Sequence, residues 1–146
     1  MHWVGYDMDI VRYKESYRAQ VIQLWCDTGL VAPQNDPDKD INRKIADSPQ
    51  WFLLGIVDHQ VVATAMAGYD GHRGWVNYLA VTPDRQKQGL ALLLMAEIER
   101  LLLAEGCAKI NLQIRETNQQ VIAAYQAMGY TIDRVVSMGK RLIPAQ

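Results

Sequence analysis

The apolar positions along the chain repeat with two different periods. Tyr17, Val21, Leu24 and Trp25 recur at helical spacing, which predicts an amphipathic helix over residues 16–27, capped by Ser16 and ended by Gly29. A turn-rich stretch, residues 33–37, separates it from a short helix over 38–46. Leu90, Leu93, Leu94, Ile98, Leu101 and Leu102 give residues 88–105 a broad apolar helical face, with Gly106 as a left-handed cap. Thr117 and Gln120 form a capping box for a further helix that ends near Met128, before Gly129. The other apolar runs are short and rich in β-branched or aromatic residues. They predict strands over 8–13, 51–57, 61–69, 75–81, 109–115, 130–136 and 137–142. Turns at 58–60 and 70–74 join three of them into an antiparallel meander. Residues 1–7 read as a loose leader.

The predicted order is β-α-α-β-β-β-α-β-α-β-β. A strand, a long helix and another strand in succession require a parallel crossover. The sheet is therefore mixed and mostly antiparallel, flanked by helices, in an α/β (α+β) fold. The 146 residues suit one domain over 1–146, and no internal repeat or low-complexity linker divides them.

Charge and cysteine content narrow the function. Fifteen basic and 16 acidic side chains leave a formal net charge of -1, with none of the clustered Lys and Arg that nucleic-acid binding needs. The run from Leu90 to Ile98 is too short to span a bilayer, and the N-terminus lacks a signal-peptide pattern. Neither nucleic acid nor membrane is an expected partner. Cys26 and Cys107 are isolated and read as small buried hydrophobes in a reducing compartment, the cytoplasm. They and the three histidines show no metal-ligand spacing, so no metal is expected. Oligomeric state stays open, a homodimer included.

Chemistry concentrates where the 75–81 strand ends. There Leu79, Ala80, Val81, a loop, and then Gln86, Lys87, Gln88, Gly89, Leu90 and Ala91 open the long helix. The first turn of a helix offers unpaired N–H groups and partial positive charge, so it suits an anion. Gly89 and Ala91 leave room for a phosphate to approach the backbone, and Arg85 and Lys87 add charge at the rim. A glycine-started helix entry is common, and alone it is equally a tight turn without ligand. The chain lacks both G-x-G-x-x-G and G-x-x-x-x-G-K-[S/T], which argues against a nucleotide-binding domain.

The segment Gln86–Ala91 resembles the acyl-coenzyme-A signature [R/Q]-x-x-G-x-[G/A] of the GNAT superfamily of N-acetyltransferases. Asn118, Tyr125 and the pair Gly129-Tyr130 follow at the family's spacing, and the element order matches from about Met8 to Leu142. The loops and the Gly139–Leu142 end look most like the small bacterial YpeA-type members. The resemblance implies acetyl transfer from acetyl-coenzyme A to a primary amine by direct attack on the thioester. It implies a β-bulge that splays the 75–81 strand from its parallel neighbour, opening a gap for the pantetheine arm. The backbone N–H of Leu79 would polarise the thioester carbonyl, and Val81 would hold a pantetheine amide. Gln86 through Ala91 would wrap the pyrophosphate, Asn118 would touch the cofactor, and Tyr125 would be the general acid for the leaving thiolate. Read without Asn118 and Gly129-Tyr130, Tyr125 is a core tyrosine in an Ala-rich helix.

The base and the acceptor pocket are less defined. Family members that acetylate ribosomal-protein N-termini carry Glu where this chain has Gln113, and Gln cannot take a proton. Asp70, His72 and Glu116 are candidate bases, although Asp70-Gly71 also reads as plain turn chemistry. Trp25, Asn35 and Asp36 are candidate acceptor-site residues, and Asn35-Asp36-Pro37 equally reads as a helix cap. The alternative to an enzyme is an acyl-coenzyme-A-binding module without working chemistry.

Overall fold

A computed structural model describes residues 7–144, so the expected leader, Asp7 apart, lies outside the described residues. The strands β1 (Asp9–Arg12), β2 (Phe52–Val57), β3 (Gln60–Tyr69), β4 (Gly74–Val81) and β5 (Ile110–Asn111) form one sheet in that order. Every pairing is antiparallel except β4 with β5. β2 is buried at every position because both faces of the sheet are covered, and such strands read as continuous apolar runs. Asp58 and His59 both have positive φ, 49° and 62°. That geometry makes a two-residue hairpin whose twist matches the strands it joins.

Two cores lie on opposite faces of this sheet. On one, Val21, Leu24 and Trp25 of α1 (Arg18–Asp27) and Ile41 of α2 (Pro37–Asp47) pack on Phe52, Leu54 and Met66. On the other, Leu94, Met95, Ile98 and Leu102 of α3 (Leu90–Ala104) and Tyr125 of α4 (Gln119–Ala127) pack on Leu53, Ala63, Ala65 and Val76. Gly74 is the close-approach point. A Cβ there would stand 2.8 Å from Leu102 Cδ1, so the Leu102 side chain would have to shift to admit it.

Five expectations change. A 3₁₀ turn, Glu15–Tyr17, precedes α1, so Ser16 sits inside that turn and caps nothing. The N-cap of α4 is Asn118, whose Oδ1 accepts from the Val121 N–H at 3.4 Å, rather than Thr117 with Gln120. β5 has two residues instead of the seven expected over 109–115. Residues 131–144 form no strand and are exposed throughout. Their β-branched content has no ladder to join, because a strand forms only against a neighbour and β5 ends at Asn111. Finally, Cys26 is exposed while Cys107 is buried, and both are free thiols. Among the described residues no helix is long and apolar enough to cross a membrane.

Candidate active site

The site starts from one extra residue in β4. Met66 pairs with Asn77 and Thr64 with Ala80, so Ala65 alone faces both Tyr78 and Leu79. This is a β-bulge, and it puts Tyr78 at φ +53°. A non-glycine residue held there costs about 1–3 kcal/mol unless its surroundings impose it. They do so in three ways. Trp25 Nε1–H donates to Thr64 Oγ1 at 2.9 Å, and the Thr64 hydroxyl donates to the Tyr78 carbonyl at 2.9 Å. The Trp25 and Tyr78 rings stack with centroids 4.0 Å apart. The Tyr78 hydroxyl donates to Asp40 Oδ2. Burial, and then Asp40, raise the Tyr78 pKa, which keeps it the donor in that pair. Trp25 and Thr64 are both fully buried. Trp25 is therefore part of the core behind the bulge and does not line an acceptor pocket as the sequence led us to expect.

On its other flank β4 soon loses its partner. Its ladder to β5 consists of Gly74↔Ile110 and Trp75↔Asn111, and Val76 to Val81 have no partner strand on that side among the described residues. Asn111, where the ladder stops, has a buried Oδ1 with no hydrogen-bond partner. Buried polar atoms are rarely left so. The residue at which the ladder stops thus carries an acceptor in want of a donor. Gln86 Nε2 reaches back 3.0 Å to the Val81 carbonyl, at the end of the free edge.

The loop into α3 carries left-handed residues in close succession, Lys87 at φ +64° and Gly89 at +83°. Such alternation makes the N–H-lined concavity that binds anions. Gly89 is the N-cap of α3, and no side chain caps that end, so its first N–H groups remain for a ligand. The residues present therefore fit a pyrophosphate. Tyr125 is 9% exposed and shares a cluster with Leu79 and Val81 on one side of the splay and Leu112 and Ile114 on the other. Its ring meets Tyr130 edge-on at 5.5 Å. Burial pushes its hydroxyl up to about 12.

Across the sheet, an open cleft of about 540 Å³ is lined by Asn35, Asp40, Arg43, Lys44, Asn77 and Tyr78, among others. Of the acceptor-site candidates only Asn35 lines it. Asp36 is spent as the N-cap of α2, its Oδ1 accepting from the N–H groups of Asp38 and Lys39 at 3.0 and 3.3 Å. The lining charges of α2, Asp40, Arg43, Lys44 and Asp47, went unremarked in the sequence. Their i, i+3, i+4, i+7 spacing puts them on one helical face and was the signal available.

Two of the base candidates lie in the β3–β4 turn. Asp70 Oδ1 accepts from the N–H groups of His72 and Arg73 at 2.7 Å each, and Oδ2 accepts from Trp75 Nε1 at 3.0 Å. The Arg73 and His72 backbone bonds and the indole lower its pKa to about 2. Asp70 organises the β3–β4 turn. His72 is exposed beside Arg73. Gln113 Nε2 donates to Ser137 Oγ at 2.6 Å.

The profile of the Acetyltransferase (GNAT) family matches residues 17–130. The chain belongs to that family. An acetyltransferase of Yersinia enterocolitica is 41% identical over 139 residues, covering 95% of this chain and 99% of the relative. Two solved structures share the fold. An aminoglycoside antibiotic 6'-N-acetyltransferase from Acinetobacter haemolyticus superposes with TM-score 0.73 at 17% identity, covering 92% of this chain and 99% of the other. The PaiA N-acetyltransferase from Thermoplasma acidophilum, in complex with coenzyme A, gives 0.69 at 13%, covering 90% and 94%. The protein is thus an acetyl-coenzyme-A-dependent N-acetyltransferase.

Proposed function

We propose that the acyl arm of acetyl-coenzyme A lies in the splay between β4 and residues 111–115, and that the acceptor amine reaches it from the cleft under α2. The observation that carries this is the early end of the β4–β5 ladder at Trp75↔Asn111, beside the bulge at Tyr78 and Leu79. A free strand edge binds an extended ligand through its main chain, as an added strand would be bound. The Leu79 N–H polarises the thioester carbonyl, and Ala80 and Val81 continue the edge. Gln86, Lys87, Gln88, Gly89, Leu90 and Ala91 hold the pyrophosphate, and Asn118 flanks it. The cytoplasm remains our expectation for its location.

Tyr125 is the donor to the leaving sulfur, approaching from the face opposite the amine. Burial raises its pKa to about 12, which keeps the hydroxyl protonated and able to donate to the sulfur as charge builds there. Tyr125→Phe keeps the ring and removes only the hydroxyl. Its kcat falls about 10-fold or more, with coenzyme A affinity nearly kept. Parallel turnover assays and calorimetric titrations measure both, and equal kcat in variant and parent removes Tyr125 from the chemistry.

A further inference from the structure

We propose that the acceptor is an amine that also carries a carboxylate, the two groups separated by about one helical turn, ~5 Å. This rests on the acetyl-transfer reading and names the substrate class of the same site. The cleft wall provided by α2 has an ordered charge pattern. Asp40 lies at its bulge end, where the Tyr78 hydroxyl fixes one carboxylate oxygen. Tyr78 precedes Leu79 in the bulge, so an amine that docks at Asp40 as an ammonium and then gives up its proton to solvent has the neutral form that attacks the thioester carbonyl. Arg43 and Lys44 follow one turn along the same face; Arg43 Nη1 turns back to donate to Asp40 Oδ1 at 3.3 Å, which leaves Lys44 as the cation for a ligand. Lys44 Nζ reaches over β3, donates to the Ala67 carbonyl, and would lie 3.7 Å from a Cβ placed on Gly68. An ammonium has three donors, so two remain for a ligand in the cleft. Burial lowers the Lys44 pKa, and Asp47 offsets this only in part. A bound carboxylate would complete the compensation.

Charge balance argues against the simpler alternatives. Two carboxylates, Asp40 and Asp47, face two cations, Arg43 and Lys44. A diamine one turn long would set its second ammonium against Lys44, and such repulsion is how a site rejects a wrong ligand. A simple monoamine would leave the Lys44 donors unused. Leu30 and Met66 supply apolar wall for the chain that links amine and acid, and the cleft volume is that of a small-molecule site.

The test compares 4-aminobutanoate with its carboxamide and with 1,4-diaminobutane, and glycylglycine with its amide. The full-length protein and acetyl-coenzyme A are used, and released thiol is read. An acid exceeds its amide and the diamine by about 10-fold or more in kcat/KM, the worth of one charged hydrogen-bonded contact. The ω-amino acid and dipeptide arms identify which carries the right spacing. Lys44→Met brings the better acid down to its amide, and Lys44→Arg keeps the preference, which excludes misfolding as the cause. An amide or diamine that equals both acids overturns the proposal, as does an acid-to-amide ratio unchanged in Lys44→Met. If no compound is turned over, the same compounds are titrated into the protein with coenzyme A. Binding without preference for an acid, or no binding, overturns the proposal. Failure of coenzyme A itself to bind overturns the acetyl-transfer reading instead.

Discussion

Along its β3 flank, β4 is paired from Tyr69↔Gly74 to Ala63↔Val81 with a single bulge, whereas along its β5 flank the ladder stops after two residue pairs. The first flank is backed by a buried relay from Trp25 through Thr64 to the Tyr78 carbonyl. The second leaves a buried Asn111 oxygen without a donor. One strand thus serves two purposes. Its closed side fixes the backbone geometry at Tyr78 and Leu79, and its open side offers that geometry to a ligand. Damage to the open side should therefore show in binding and rate, and damage to the closed side in stability first.

The largest expected effect is on the open side. Gly89→Glu places a carboxylate at the mouth of α3. A like charge about 4–5 Å from the pyrophosphate costs about 3–4 kcal/mol at an effective dielectric near 20. Coenzyme A affinity by calorimetry then falls by at least about 100-fold. Gly89→Ala separates backbone strain from charge, because any side chain at φ +83° costs about 1 kcal/mol. If the Glu variant is folded and binds as well as the parent, the α3 entry is not the pyrophosphate cradle.

Thr64→Val attacks the closed side. It keeps the shape and leaves the Trp25 N–H and the Tyr78 carbonyl buried without their partner. The loss is about 2–4 kcal/mol, or about 5–10 °C in Tm, while Thr64→Ser retains both bonds and loses less than about 1 kcal/mol. The comparison sharpens if kcat, assayed well below the melting range, falls more than coenzyme A affinity. That split would mean that the relay positions the Leu79 N–H. A destabilised variant with parental kcat would mean that the two flanks are independent.

The contrast also explains which parts of the molecule the sequence reveals. β2, β3 and α3 are read correctly because their apolar periods face large buried surfaces, as Phe52, Leu54, Leu94 and Ile98 do. The start of α3 is legible because Gly89, at φ +83°, marks the turn that opens the helix. Strands expected at 109–115 and 130–142 shrink or vanish because their pattern describes local preference, while pairing depends on an edge that the bulge turns away. Trp25 was misread for a related reason. An indole near a polar loop resembles a ligand wall, and only the fold shows that its N–H is committed to Thr64, 39 residues away. Asp40 escaped notice because its partner Tyr78 arrives from another strand.

The smallest expected effect is at Asp70, a residue near the open side that belongs to a turn. A general base must gain a proton near neutral pH, and a carboxyl held near 2 does not. Asp70→Asn should leave kcat/KM at pH 7–8 within about twofold and leave the ascending limb of the pH–rate profile where it is. That limb should follow the acceptor. Two amines of different pKa should plateau at different pH in both parent and variant, because only the neutral amine attacks. The same residue gives a signed effect on stability. Its folded pKa lies below the unfolded value of about 3.9, so its contribution is present above that value and is lost as pH falls towards about 2. The stability gap between parent and Asp70→Asn, followed by denaturant titration, should therefore narrow over that window and be constant above it. A limb fixed at one pH for both amines and lost in Asp70→Asn would make Asp70 the base, and would move part of the chemistry from the strand edge to the turn.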